Sequence, residues 1–348
     1  MLWQELLPQL EFYVNSQDFK EKLKIDDQVD LGFLAQGEYN LNYLLKTGRG
    51  LYVLRINTGS QMNLKNQIAY EYEALKLLSV SGVTPEPYLL DDSLDKVPYG
   101  LLVMEYLPGE PLNYDRDLTK AAETFARIHS LKFAPGETDF LIKGEGPFST
   151  VYWEACRLLP QYFDFPQADP EVRTLLEKIL HKAEEKKKEE KYLKLEPWYA
   201  VINTEVNSHN FIVNREKGSC HLIDWEKPIW GEPAQDLSMF LIITTTLWKS
   251  NKILSPSEER EFIARYRDEF IWRINTAGGN DQVNTAIPLD SLEERINSFK
   301  FFNYLRAISW CAMAWTEYSQ EGRLIKNKDT WEKIKLYLEP NFIKHCFY

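Results

Sequence analysis

Hydrophobic and polar positions follow different rhythms along this chain. Through the first thirty residues, Leu, Phe and Tyr fall on one helical face and acidic and basic residues on the other, so the stretch reads as helix. From Leu31 short apolar runs separated by turn residues take over. LGFLAQG, LNYLLKT and GLYVLRI read as three strands, the last two joined as a hairpin by Gly48-Arg49-Gly50. A helix over 63–79 follows, with Ile68, Tyr72, Leu75 and Leu78 at helical spacing, and SGVTPEP breaks it. Two more strands, over 88–90 and 100–106, lead into the Pro/Gly connector LPGEPL, where we place a domain boundary.

Beyond Asp115 the pattern is mainly helical, over 118–131, 151–163 and 170–194. Within the last of these, AEEKKKEEK is charged all round and reads as a solvated helix face. A short β-rich island, WYAVIN, NFIVN and CHLIDW, interrupts the helices, which resume over 234–249, 257–275, 292–318 and 330–338. The fold class expected is α+β with two lobes. Residues 1–107 form a small antiparallel-sheet lobe with its helices, and 108–348 form a larger, mainly helical lobe.

Composition narrows the function. A formal net charge of −11 argues against nucleic acid and against an anionic membrane surface as partners. The opening segment is interrupted by Glu5 and Glu11 and does not read as a signal peptide. The run 239–248 is too short to span a bilayer. Cys156, Cys220, Cys311 and Cys346 are widely spaced and form no C-x-x-C pair, which suits a reduced, cytoplasmic protein.

The β-island holds the densest polar signal. Glu205 lies on a loop between two apolar strands, Asn210 follows five residues later, and Asp224 ends a third strand. Carboxylates and an amide presented at strand ends suit a hard divalent cation held together with a phosphate. Mg²⁺ in particular takes one or two carboxylates and fills its other positions with phosphate oxygens and water.

In order along the chain stand LAQGEYNLNYLL, YVLRI, AYEYEALKLL, VMEYLPGEPL, FARIHSL, Asn203-Thr204-Glu205 with Asn210, Ile223-Asp224-Trp225-Glu226, and Gly231-Glu232-Pro233-Ala234-Gln235-Asp236-Leu237. This series resembles the aminoglycoside phosphotransferase and choline kinase family, whose fold is protein-kinase-like. That family usually reads His-Gly-Asp or His-Asn-Asp, four residues, Asn, then Ile-Asp-Trp/Phe-Glu, then Gly-Asp-Pro-Ala-x-Asp-Leu. The resemblance implies that Gly37 to Asn40 cover nucleotide phosphates, that Arg55 contacts them, and that Glu71 rather than Glu73 holds Arg55. Glu105 falls in the nucleotide-binding hinge. Asn210 and Asp224 stand at the metal ligands, and Asp236 at the residue that braces the catalytic loop. ATP and Mg²⁺ are the implied cofactors.

The sequence departs from the family where Asn203 and Glu205 replace the usual His and Asp. Glu is one methylene longer, and a misplacement of about 1 Å can cost roughly 10²-fold in rate. Phosphoryl transfer nevertheless depends mostly on positioning and charge neutralisation. The function expected is an ATP-dependent kinase that moves the γ-phosphate to a hydroxyl of a small molecule, with Glu205 orienting and deprotonating it. A nucleotide-binding pseudokinase and a nucleotidyl-transferring relative are the alternatives. An amine-bearing acceptor would find acidic residues at Glu226, Glu232 and Asp236, and aromatic walls among Trp225, Trp230, Trp310 and Trp315. His129 reads as a structural hydrogen-bonding residue, and His209 as facing either the acceptor or solvent.

Overall fold

The computed structural model describes residues 2–37, 39–60, 62–276, 287–320 and 328–348. They gather into two compact units. The first comprises 1–113, 131–142 and 210–228, and the second comprises 114–130, 143–209 and 229–348.

The first unit opens with two helices rather than one, α1 (Leu2–Val14) and α2 (Gln17–Leu23). The break comes at Ser16, which takes extended backbone and caps α2 by accepting from the Phe19 N–H at 3.4 Å. A five-stranded antiparallel sheet follows, built from β1 (Asp30–Gln36), β2 (Asn40–Thr47), β3 (Gly50–Asn57), β4 (Pro87–Asp91) and β5 (Gly100–Glu105). Its order is β1-β2-β3-β5-β4. Strand alternation separates two faces. Leu41, Tyr43 and Leu45 of β2 and Leu54 and Ile56 of β3 join Leu10, Val14 and Phe19 in one core, so Arg55 points to the other face. In register opposite Arg55 lie Asn42 and Leu102. Helix α3 (Gln67–Leu78) starts four residues later than its periodicity suggests. Asn63 has a left-handed φ of +54°, and Asn66 is the cap.

The first unit also holds β6 (Glu110–Pro111). Beyond β7 (Ala200–Ile202), which belongs to the second unit, come β8 (Phe211–Asn214) and β9 (Ser219–Leu222). These three form a sheet in the order β6-β8-β9. A hydrogen bond from the Leu222 N–H to the Val83 carbonyl, 2.9 Å, ties β9 to the segment after α3. That is how 210–228 come to belong with the sheet-bearing unit.

The second unit is mainly helical: α4 (Tyr114–His129), α5 (Pro147–Phe163), α6 (Pro170–Lys186) and α7 (Lys191–Leu195) precede β7. β7 pairs antiparallel with β10 (Ile229–Gly231), and α8 (Pro233–Leu241) and α9 (Ile243–Lys249) follow. The expected helix 234–249 is broken at Ile242, whose ψ is 146°. The β-branched run Ile242 to Thr246 has low helix propensity and favours a break there. Last come α10 (Pro256–Thr276), α11 (Leu292–Ser319), α12 (Lys328–Tyr337) and α13 (Pro340–Phe347). The 28-residue α11 packs on α5 and α8, with Phe148 and Phe302 stacked 4.4 Å apart. Among the described residues no helix is long and apolar enough to cross a membrane. All four cysteines are free thiols.

Candidate active site

Arg55 is the hub of the first unit's polar cluster. A lone buried arginine is prohibitively costly, so its partners decide whether it can be there at all. Only 5% exposed, Arg55 donates from Nε to Asn42 Oδ1 at 3.1 Å, the residue its strand register places opposite. One terminal nitrogen donates to Glu71 Oε1 at 2.5 Å and to Asp224 Oδ1 at 2.9 Å. Burial works against the guanidinium charge, but Glu71, Asp224 and Glu226 outweigh it and hold the proton more firmly than usual. Burial pushes the Glu71 carboxyl up, with Arg55 pulling the other way. Glu73, two residues on, is on the exposed side of α3 and pairs with Lys76 instead.

Asp224 follows β9 with a left-handed φ of +64°, a conformation that Asp tolerates better than most residues. Its side chain is 31% exposed, so it can accept a further partner. The residue before it, Ile223, donates its N–H to the Asn210 carbonyl at 2.8 Å, which fixes the Asn210 backbone next to Asp224's strand. Neither carboxylate nor amide is part of a ready-made cage. Among the described residues no group of three or more His, Cys, Asp or Glu is placed to hold a metal.

Glu226 is the member of this cluster whose part the sequence did not suggest. It accepts a short hydrogen bond from Asn40 Nδ2, and its carbonyl accepts from Gln67 Nε2 at 2.5 Å. Asn40 in turn accepts from Asn57 at 3.0 Å, and the Gly37 N–H bonds the Asn40 carbonyl at 2.8 Å. The hairpin end bearing Gly37 and Asn40 is thus fastened to α3 and to the segment after Asp224. Glu38 lies outside the described residues. Glu105 ends β5, and its carboxylate accepts from the Glu86 N–H at 3.3 Å. Trp225 is fully buried with its indole N–H on the Leu222 carbonyl, so it is core and not a pocket wall.

In the second unit the Asn203-Thr204-Glu205 turn leaves β7. The carboxylate of Asp236 on α8, 0% exposed, accepts from the Asn203 N–H at 2.7 Å and the Thr204 N–H at 2.8 Å. Asn203 Oδ1 accepts from the Glu205 N–H at 3.1 Å, so the residue in place of the usual His closes the turn on itself. Thr204 has a φ of +69°, an outlier for a β-branched residue. Two hydrogen bonds to one buried carboxylate hold it there. Glu205 emerges half-buried.

His129, fully buried, bonds the Tyr266 hydroxyl through Nδ1 at 3.1 Å, and its Nε2 lies 3.8 Å from Asp236 Oδ2. It stands behind the brace, a structural place. His209 is exposed, and its pKa is lowered by burial of the ring and then by Lys249. Trp310 packs edge-on against Trp248, Trp315 lies among Tyr162, Phe165 and Trp331, and Trp230 stacks on Tyr199.

The sequence model of a phosphotransferase enzyme family matches residues 30–273 of the chain. No curated protein matches it in sequence. Solved structures of similar fold include an ethanolamine kinase of Plasmodium vivax, 16% identical with a TM-score of 0.61 over 95% of this chain and 88% of that one. Another is spectinomycin phosphotransferase in complex with ADP and spectinomycin, 15% identical with a TM-score of 0.61 over 97% and 96%. A third is choline kinase from Cryptosporidium parvum Iowa II, 13% identical with a TM-score of 0.60 over 95% and 94%.

Proposed function

Because the chain belongs to the phosphotransferase enzyme family, we propose that this small-molecule kinase uses ATP, holds Mg²⁺ through Asn210 and Asp224, and phosphorylates a hydroxyl presented to Glu205. Its fold is protein-kinase-like. The observation that carries the reading is a buried Arg55 shared between Glu71 and the partly exposed Asp224. A permanently charged, fork-shaped donor held rigid by one carboxylate suits the phosphates of a nucleotide, which a spectinomycin phosphotransferase of this fold binds as ADP.

The donor set fits Mg²⁺: one hard carboxylate and one amide oxygen, which leave the other positions to phosphate oxygens and water. When bound, the ion would neutralise charge on the transferring phosphoryl group. Everything else falls to the chain's own residues. Arg55 gives up part of its contact with Asp224 and turns that donor to phosphate, while Glu71 keeps it in place. Asn40, fastened by Glu226, holds the hairpin bearing Gly37 against the phosphates, and Glu105 serves the hinge. Glu205 accepts the hydrogen bond of the acceptor hydroxyl, orients it, and takes its proton as the new P–O bond forms and the bond to the leaving ADP breaks. Asn203 and Asp236 set where that carboxylate emerges.

The acceptor is a small hydroxyl-bearing molecule, of the amine-bearing alcohol class that the choline and ethanolamine kinases of this fold are named for or an amino sugar. A cytoplasmic setting suits four free thiols. The test couples thermal unfolding with turnover. Mg·ATP at 100 times its dissociation constant should add about 2.7 kcal/mol of stability. The shift should need the metal and vanish in Asp224→Ala. Amino alcohols and amino sugars are then screened for phosphate transfer by product mass, with Glu205→Gln as control. No metal-dependent shift would defeat the nucleotide site, and full turnover in Glu205→Gln would defeat the base assignment.

A further inference from the structure

One face of α3 is given over to a short stretch of backbone. Gln67, Tyr70 and Glu71 stand at i, i+3 and i+4, the spacing of a single helical face, and all three are buried. Gln67 Nε2 donates to the Glu226 carbonyl at 2.5 Å, and the Tyr70 hydroxyl donates to the Pro228 carbonyl at 2.5 Å. Glu71, besides holding Arg55, accepts from the Trp225 N–H. The helix thus grips 225–228 at three points, directly after the left-handed Asp224.

Gln67 is also tied on its other side. Ser60 Oγ accepts from the Leu64 N–H at 3.0 Å and donates to Gln67 Oε1 at 2.6 Å. A carbonyl can only accept, so the Gln67 amide has one orientation, with its NH₂ on Glu226. Glu226 passes the tie on. Its carboxylate accepts from Asn40 Nδ2, Asn40 Oδ1 accepts from Asn57 Nδ2 at 3.0 Å, and Asn57 Nδ2 also reaches the Gly59 carbonyl at 2.8 Å. Gly59 precedes Ser60, so the hydrogen bonds close into a ring, and every member belongs to the first unit. The segments it joins are those that carry Asn40, Arg55, Glu71 and Asp224: the hairpin end, β3, α3 and the stretch after β9.

We propose that Gln67 is a positioning residue for the nucleotide phosphates, a role that rests on the ATP-dependent reading above. By clamping the Glu226 backbone to α3 it keeps the Asp224 carboxylate on Arg55 and, at the same time, the Glu226 carboxylate within reach of the hairpin end. No apolar residue can replace it. A Met of similar reach fills the space but takes this donor from the Glu226 carbonyl and the acceptor from the Ser60 hydroxyl. Tyr70 and Glu71 still hold Pro228 and Trp225, so the segment stays on the helix and shifts only between those two points. A shift of about 1 Å is enough to matter, since misplacement of that size can cost roughly 10²-fold.

The experiment compares the full-length parent with Gln67→Met and with Gln67→Glu, which keeps the shape and the Ser60 bond but turns an acceptor toward the Glu226 carbonyl. Calorimetric titration with Mg·ATP should show the Kd raised about tenfold or more in both. Without nucleotide, the Gly37 and Thr58 amides, bonded to the Asn40 and Tyr39 carbonyls, should exchange hydrogen about tenfold faster, while those of Asn203 and Thr204 in the second unit stay as they are. Asn40→Ala acts through the same Glu226, so adding it to Gln67→Met should weaken Mg·ATP binding little beyond the worse single change. A parent that binds Mg·ATP while both variants bind it equally well overturns the proposal alone. Strict additivity with Asn40→Ala, or unchanged exchange at Gly37 and Thr58, overturns it too. Loss of the fold in both variants would make Gln67 a structural residue and end the claim. A parent that binds no Mg·ATP defeats the nucleotide reading itself, and the proposal falls with it.

Discussion

Asp236 gives the sharpest test of how the second unit positions Glu205. Its carboxylate, with no exposed surface, accepts two backbone N–H bonds, at 2.7 and 2.8 Å, from Asn203 and Thr204. Hydrogen bonds to a charged group contribute about 1.5–3 kcal/mol each, so Asp236→Ala forfeits roughly 3–6 kcal/mol and strands two buried donors. Part of this returns. Thr204 is held at φ +69°, and a left-handed residue costs about 1–2 kcal/mol, which is released once the brace is gone. The net loss expected is therefore about 2–4 kcal/mol. Asp236→Asn, which keeps one acceptor and turns an NH₂ toward the other donor, should lose about 2 kcal/mol.

The assay is urea unfolding, in which the midpoint should fall at unchanged m-value, followed by turnover measured well below the transition. Relaxation of Thr204 moves Glu205, so kcat should drop by roughly 10²-fold in either variant while nucleotide binding holds. Thr204→Gly makes the test two-dimensional. In the parent it relieves strain that Asp236 enforces. In Asp236→Ala the strain is already gone, so the two changes must be non-additive by about 1 kcal/mol. Loss of less than 0.5 kcal/mol in Asp236→Asn, or strict additivity with Thr204→Gly, would refute the reasoning.

Three further outcomes are expected. Thr204→Gly alone should raise stability by about 1 kcal/mol, the strain relieved less the extra entropy of an unfolded glycine; a lowered urea midpoint would count against the strain. Arg55→Leu leaves Glu71 buried without its cation and should cost about 3–5 kcal/mol at neutral pH. Because burial already raises Glu71 and Arg55 opposes this, the variant's deficit should shrink as pH falls and Glu71 takes up a proton, and grow as pH rises; a pH-independent deficit would contradict it. Glu232, raised from 4.5 to about 8, contributes stability that is fully present below pH 4.5 and is lost as pH rises through 8. At about 1.4 kcal/mol per unit this is roughly 5 kcal/mol at most, and Glu232→Gln should flatten the slope of the unfolding free energy between pH 5 and 8.

The parts of the fold that were legible in the sequence are those whose partners are local. The hairpin at Gly48-Arg49-Gly50 follows from turn chemistry, and strand alternation alone turns Arg55 away from Leu54 and Ile56. Helical spacing lets only one of Glu71 and Glu73 face the sheet, and the family resemblance names Glu71. Caps and breaks were harder. Ser16 splits the first helix and Ile242 splits another because single residues adopt extended backbone, an event that apolar periodicity does not register. Periodicity also passed over β10 and α13, three and eight residues long.

What could not be read is what the tertiary structure alone creates. Glu226 and Asn40 are 186 residues apart, and nothing in Ile-Asp-Trp-Glu tells that the Glu fastens a hairpin. Glu232 and Arg295 are 63 apart, and a fully buried arginine looks like any surface arginine until its partners are known. The left-handed Thr204 is a case between the two. A Thr where Gly or Asn is usual signals backbone strain, provided the position is known to need positive φ. That need comes from Asp236, thirty-two residues away, whose two oxygens fix the adjacent N–H groups whatever side chain lies between them. The Asn-Thr-Glu turn therefore keeps a geometry imposed from α8 rather than one its own residues prefer. A longer acid at Glu205 is compatible with that imposed backbone in a way that a relaxed loop would not guarantee. Substituting the brace tests more about catalysis than shortening Glu205 does.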